Sequence, residues 1–399
     1  MDSSNCLSPE KRRHASRFII WLTGFFGFLN VYSVQSILPL IIETFDATPV
    51  QAGITVGATI FAIALLSPFI GMLSDAFGRK SVLCISIFAL AVPTALIPIA
   101  QSLHAVIFFR FLQGLCVPGI IVIILAYIAE EFDKDMVPRI SSIYMGGSVI
   151  GGFSGRFVTG HLASLVGWKN AFFILAASIL AGALLMLLFL PPSQNFKPNR
   201  NIADTLRTFA GHMHNKRLLA ACAVGFCVLF SLVGIFTYIN LVLVKPPFNL
   251  SIAALANIFC VYLVGGVVTP ISGRFVVRAG FRNVLLCALF ISMSGALMTL
   301  TTSLFIVISG LVICSSGVFV CQSTTISFIA DSVKEGRSLA SGLYFMSYYG
   351  GGAAGSWIAG IAYEDWGGWP GSVTTIVTVQ FLAATIAWLT WKSKTPASG

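Results

Sequence analysis

Apolar runs long enough to cross a bilayer follow one another along almost the whole chain. That recurrence constrains the fold more than any single motif does. A hydrocarbon core of about 30 Å asks for roughly 20 consecutive apolar residues of helix. Such runs occupy 18–42, 52–73, 81–100, 103–129, 140–164, 170–191, 218–244, 251–273, 283–301, 303–329, 338–362 and 371–391. Inside lipid, backbone polar groups must be satisfied within the segment, so runs of this length are helices. Composition agrees, with 57% hydrophobic and only 10% charged residues, against about 25% charged in ordinary soluble domains. The expected fold is therefore all-α and polytopic, with twelve transmembrane helices.

A polar stretch at 192–217, rich in Asn, Pro, Lys, Arg and His, divides the runs six and six. The implied organisation is a tail (1–17), a six-helix bundle (18–191), a linker (192–217) with a short surface helix near 202–210, a second bundle (218–391) and a tail (392–399). Basic residues set the orientation, because loops rich in Lys and Arg stay on the cytoplasmic side. Of 24 Lys and Arg, 20 fall in the tails and in loops on one face, two (Lys169 and Lys245) on the other, and two (Arg110 and Arg156) inside spans. Both termini are thus expected in the cytoplasm, at the inner membrane of a bacterium. The first run is too long for a secretory signal and lacks its small-residue cleavage site. The net charge of +10 forms no patch or stripe of the kind nucleic acid requires. The nine cysteines are scattered without metal-ligand spacing or a paired framework, and read as small buried hydrophobes.

The two halves repeat. At an offset of 202, Pro68, Gly71, Gly78 and Lys80 match Pro270, Gly273, Gly280 and Arg282; at an offset of 200, Tyr144, Gly151, Gly152, Gly155 and Gly160 match Tyr344, Gly351, Gly352, Gly355 and Gly360. A duplicated six-helix unit predicts a pseudo-two-fold axis along the membrane normal, with a solute site between the halves. Val277 stands where Asp75 stood in the first copy.

The link between the second and third runs, Gly71-Met72-Leu73-Ser74-Asp75-Ala76-Phe77-Gly78-Arg79-Lys80, resembles the Gly-x-x-x-Asp-x-x-Gly-Arg-Arg/Lys loop signature of the major facilitator superfamily. Every fixed position is present. The resemblance implies two pseudo-symmetric six-helix bundles working by alternating access. It also places Asp75 near the start of the eleventh helix, where an anion is favoured by exposed N–H groups by roughly 0.3–1 kcal/mol. Gly71, Asp75, Gly78, Arg79 and Lys80 would then form a conformational latch; the plainer alternative is a solvated loop that anchors the positive side. Arg110-Phe111-Leu112-Gln113-Gly114 resembles the Arg-x-x-Gln-Gly motif of the superfamily's fourth helix, prominent in its proton-coupled efflux branch. In the fifth run, Gly147, Gly151 and Gly155 form a groove for close helix packing, mirrored by Ser347, Gly351 and Gly355. Antiporters of the family commonly carry Gly-Pro in that fifth helix, where this chain has Gly151-Gly152. The Ser-Gly-Arg ending at 154–156 is more similar to bacterial efflux permeases of the arabinose-efflux-permease-like branch.

Arg110 and Arg156 are the only charges placed well inside the spans. At 1.5 Å per residue both sit roughly 10–12 Å below the outer surface. Burying each is costly, so each should face protein, water or solute rather than lipid. All fourteen Asp and Glu lie in tails, loops or helix ends. Glu43 and His161, near the outer ends of the first and fifth runs, are the nearest groups for proton coupling, with loop or interfacial anchoring as the alternative. Asn30, Tyr32, Gln35, Tyr238 and Asn240 lie on the first and seventh runs, which line the central cavity in the family. With Arg110, Gln113 and Arg156 they are the candidate solute contacts; inter-helix hydrogen bonding is the alternative for each.

The expected function is secondary transport of a small drug-like, sugar-like or organic-anion solute, with proton-coupled efflux as the leading form. An importer or facilitator is the alternative, and a non-transporting sensor a more distant one. No phosphate-binding Gly-x-x-x-x-Gly-Lys-Ser/Thr string occurs, and no nucleophile, metal set or acid pair suggests an enzyme. The expected partners are the solute, the bilayer and protons, with no cofactor, and the chain is expected to work as a monomer.

Overall fold

A computed structural model of the chain describes residues 9–133, 135–193, 211–333 and 337–391. The expected short helix near 202–210 lies outside them, as do most of the linker and both extreme tails. Several of the twelve crossings are built from more than one helix. The first consists of α1 (Pro9–Leu29), an irregular turn at 30–34, a 3-10 turn (Gln35–Ile37) and α2 (Leu38–Phe45). The second is α3 (Pro49–Leu66) with α4 (Ile70–Phe77), and the third is α5 (Arg79–Leu96). The fourth is split into α6 (Leu103–Cys116), α7 (Pro118–Ile121) and α8 (Ile123–Glu131); α9 (Val137–Val166) and α10 (Trp168–Phe189) complete the first bundle.

The second bundle begins with α11 (Lys216–Leu243). Its next crossing runs through α12 (Ile252–Ile258), a 3-10 segment (Phe259–Leu263) and the start of α13 (Val264–Met298). The chain reverses within α13 at Gly280, so that α13 supplies two crossings. The last three are α14 (Leu304–Ser332), α15 (Arg337–Asp365) and α16 (Trp369–Thr390). Among the described residues, eight stretches are long and apolar enough to span on their own. The first crossing misses that test because it is broken, and the fifth and eleventh carry the polar and glycine-rich faces the bundles need.

Local chemistry explains the punctuation. Thr48 caps α3 in a capping box, its Oγ1 accepting from Gln51 N–H while Gln51 Oε1 accepts from Thr48 N–H. Pro118 sits at the first position of α7 and divides the fourth crossing. The repeat seen in the sequence recurs in the backbone. Gly78 (φ +88°) and Gly280 (φ +79°) make the same left-handed reversal 202 residues apart, and Gly167 and Gly367 (φ +83° and +79°) do so 200 residues apart.

The glycine columns pack within each bundle. A Cβ on Gly147, Gly151 or Gly155 would collide with the carbonyl oxygens of Trp21, Phe25 and Leu29 on α1. In the second bundle Gly351 and Gly355 meet the carbonyls of Phe226 and Phe230 on α11 in the same way, and Ser347 Oγ donates to Cys222 O at 2.8 Å. The seam between bundles is tightest toward the face that carries Lys169 and Lys245, here termed the far face; the other is the basic face. On the far side a Cβ on Gly53 or Gly57 would strike Ser356, and one on Gly160 would press on Ala256. There, too, Val50 N–H donates to the Glu364 carboxylate across the seam at 2.6 Å. Toward the basic face, among the described residues, a Cβ on Gly342 would come no nearer than 3.9 Å to Pro68.

Gly155→Ala should lower the thermal stability of the purified protein by about 1–3 kcal/mol, the usual cost of overpacking. Gly146→Ala, whose Cβ would find only Trp21 Nε1 at 4.0 Å, should leave it unchanged or raise it. Melting in detergent distinguishes the two.

Candidate functional site

The first crossing loses its helix at Asn30. Its turn is held by short-range bonds such as Val31 N–H to Phe28 O at 3.3 Å and Gln35 N–H to Tyr32 O at 3.0 Å. Non-helical backbone at membrane depth survives only where protein or water satisfies it. Here Arg110, fully buried, does so. Its Nη1 donates to Asn30 O (2.8 Å) and Gln113 Oε1 (2.6 Å), its Nη2 to Val31 O (2.6 Å), and its Nε to Thr55 O (3.0 Å). Thr94 completes the cluster, its hydroxyl accepting from Asn30 Nδ2 (3.0 Å) and Gln113 Nε2 (2.8 Å). Arg110, Gln113 and Asn30 therefore meet, but as a sealed knot joining the first four crossings.

Arg156 is placed differently. It is 2% exposed, and its guanidinium carbon lies 4.1 Å from the ring centre of Tyr32 and 4.1 Å from that of Tyr262. Tyr32 belongs to the first bundle and Tyr262 to the second, so the cation is clamped across the seam. Its Nε donates to Gln35 Oε1 (2.7 Å) and its Nη1 to Gly152 O (2.7 Å). The Tyr262 hydroxyl interacts with the same guanidinium from the second bundle, without completing a hydrogen bond of normal length. Gln35 carries the connection onward, donating from Nε2 to Thr237 Oγ1 at 3.1 Å, while Asn240 Nδ2 donates to Gln35 O at 3.0 Å. Ser36 Oγ and Asn240 Oδ1, both buried in this region, have no protein partner. The arrangement presents one cation, two aromatic faces and unspent polar atoms where the bundles meet.

The other candidates lie apart from this cluster. Tyr238 is fully buried and its hydroxyl donates to Ser356 O within the second bundle. Glu43 is exposed at the end of α2. His161 is half-buried, with Nδ1 2.9 Å from Phe157 O and its ring centred 4.3 Å from the Phe157 ring. Gly151, Gly155, Gly351 and Gly355 sit in the intra-bundle columns described above. Of the loop motif, the side chain of Asp75 and the surroundings of Gly71 lie outside the described residues. Gly78 makes the turn, and Lys80 is half-buried. Arg79 forms a bidentate pair with Glu130 at the end of α8, Nη2 to Oε1 at 2.6 Å, and Nη1 donates to Ser74 Oγ at 3.0 Å. Both partners belong to the same bundle as Arg79.

Sequence reasoning missed Thr94, Thr237, Glu130 and Tyr262. A tyrosine deep in an apolar run was the available signal for Tyr262. The threonines are recognisable only once their partners are known.

Two six-helix bundles closing on a buried polar centre define a polytopic membrane protein built as a two-bundle carrier. The sequence profile of the Major Facilitator Superfamily matches residues 20–355 and 243–399. An uncharacterized transporter from Buchnera aphidicola subsp. Schizaphis graminum (strain Sg) is 33% identical over 331 residues, covering 83% of this chain and 80% of its own. The inner membrane transport protein YnfM of Escherichia coli (strain K12) is 30% identical over 365 residues, covering 91% and 87%. The crystal structure of a bacterial homolog to the human lysosomal transporter Spinster, inward-facing and unoccupied, superposes with a TM-score of 0.77 at 17% identity, covering 96% of this chain and 98% of that one. The chain belongs to the major facilitator superfamily and is a multi-pass membrane transporter.

Arg110→Ala strips the charged donor from three carbonyls, each worth roughly 1–3 kcal/mol if left unpaired. It should cut folded yield and melting temperature sharply. Arg110→Lys, lacking the forked geometry, should restore little of either. Detergent melting curves of both variants check this.

Proposed function

We propose that the chain exports a small organic solute across a bacterial cytoplasmic membrane, and that it accepts neutral or anionic solutes in preference to permanent cations. The observation that supports this is the pair of buried guanidiniums, with no Asp or Glu in the interior of any described span. A membrane-embedded acid is the usual attractor for a lipophilic cation; here the interior field has the opposite sign. The basic face is assigned to the cytoplasm by its Lys and Arg content, so the state with a tight far-face seam is the one poised to receive solute from inside. Asp75, facing the start of α15 as the loop signature implies, is assigned the complementary latch on the cytoplasmic side. Proton coupling falls to groups near the far face, Glu43 and His161, and the monomer is the working unit. The same lack of an interior acid favours a second reading, a facilitator without ion coupling.

In inverted vesicles, uptake of organic anions and neutral solutes should exceed uptake of quaternary ammonium dyes, and Arg156→Ala should reduce it at least about tenfold, the loss of one charge-assisted contact. Dye transport unaffected by the substitution would defeat the preference. A pH gradient that leaves uptake unchanged would select the facilitator. In a cysteine-free background on intact cells, an impermeant thiol reagent should label cysteines replacing Thr48 or Ser102 and spare those replacing His214 or Ser332. The reverse pattern would invert the orientation.

A further inference from the structure

The two buried arginines differ in what they have left to give. A guanidinium carries five N–H donors. Arg110 spends four hydrogen bonds on carbonyls and Gln113. Arg156 spends two, one of them on the side-chain amide of Gln35. Its guanidinium lies between the faces of Tyr32 and Tyr262, with the Phe259 ring 5.4 Å away; the buried oxygens Ser36 Oγ and Asn240 Oδ1 have no protein partner. No acid neutralises it among the described residues.

We infer that Arg156 is the binding residue for the carboxylate of a small organic monoanion, and that this carboxylate opens the far-face seam by displacing Gln35. This rests on the transport reading above and adds to it the solute class and the trigger.

A carboxylate accepts from a guanidinium through two parallel bonds, each stronger than a bond to a neutral amide oxygen. On the Nε–Nη2 edge of Arg156 it would take Nη2, which makes no hydrogen bond of normal length, and Nε, which now holds Gln35. Gln35 then leaves, and its Nε2 bond to Thr237 in the other bundle goes with it. The same event neutralises the cation held against Tyr262, weakening the second tie across the seam. A neutral isostere can occupy the space but cannot outcompete Gln35 for Nε. One free cation with no second basic partner beside it suits a single negative charge, and the two tyrosine faces suit a flat apolar body. The seam is thereby locked by the residues that read the solute, which keeps the far side closed until the cargo is bound.

The test uses purified protein in liposomes, with Lys169 and Lys245, exposed on the far face in different bundles, exchanged for spin-labelled cysteines in a cysteine-free background. The probes are benzoate and benzamide, which differ in the carboxylate alone. Benzoate should populate a longer far-face distance at concentrations at least about tenfold below those benzamide needs, the advantage of a charge-assisted contact over a neutral one. Gln35→Ala should populate the longer distance without any solute. Gln35→Glu, which supplies the carboxylate from within the chain, should abolish the response to benzoate, as should Arg156→Gln. Equal responses to the two probes, no response to either, or a Gln35→Ala distribution matching the wild type would overturn the inference. Solute flux measured on the same liposomes separates the two readings. Flux that persists without a carboxylate response sinks the trigger and leaves transport standing; absent flux for every solute class sinks transport itself.

Discussion

The first bundle depends on the bonds from the Arg110 guanidinium to the unwound first crossing. In hydrocarbon an unpaired carbonyl is expensive, and helix is the default because it leaves none. At Asn30 and Val31 the default is abandoned, and the guanidinium of a helix 80 positions along the chain supplies the donors instead. The same group holds Thr55 O on the second crossing and Gln113 on its own helix, and Gln113 reaches Thr94 on the third. Because the helix breaks here, the residues that follow are free of the α-helical register set by α1. Tyr32 and Gln35 can therefore turn toward Arg156 and the opposite bundle. The knot at Arg110 and the seam at Arg156 are successive consequences of one broken helix.

The duplication makes the asymmetry of the centre visible. Two hundred residues after Arg156 stands Ser356. Arg156, on the fifth crossing, meets the eighth through Tyr262, while Ser356, on the eleventh, meets the second through Gly53 and Gly57. One inter-bundle contact is charged; its pseudo-symmetric counterpart is uncharged and close, with the Tyr238 hydroxyl and Ser356 packed on Gly53. A symmetric scaffold thus carries a one-sided electrostatic field.

Most of the crossings were legible from hydropathy and length, the first, fifth and eleventh only from their place in the series, and the repeat because its glycines impose backbone geometry that survives divergence, as Gly78 and Gly280 show. Arg110 and Arg156 stood out because a charge in an apolar run is costly and must find a partner. What they touch was not legible. The break at 30–34 contains neither proline nor glycine, and the force that stabilises it arrives from another helix. The partner of Arg79 was equally hidden, since Glu130 is one acid among several at the ends of spans and only the fold brings it 2.6 Å from the guanidinium. The glycine columns were visible as close-packing surfaces, but which helix they face is a property of topology.

Those columns have a mechanical meaning. With backbone against backbone, α9 on α1 and α15 on α11 are packed without the layer of side chains whose rotamers let helices slide past one another. Each pair therefore behaves as a stiff plate, and deformation is pushed out to the seam between plates. A seam between stiff plates does not yield gradually, because a displacement at one bond is shared by all the others on that edge. Movement of one plate against the other therefore requires the handful of polar bonds along that edge to break together.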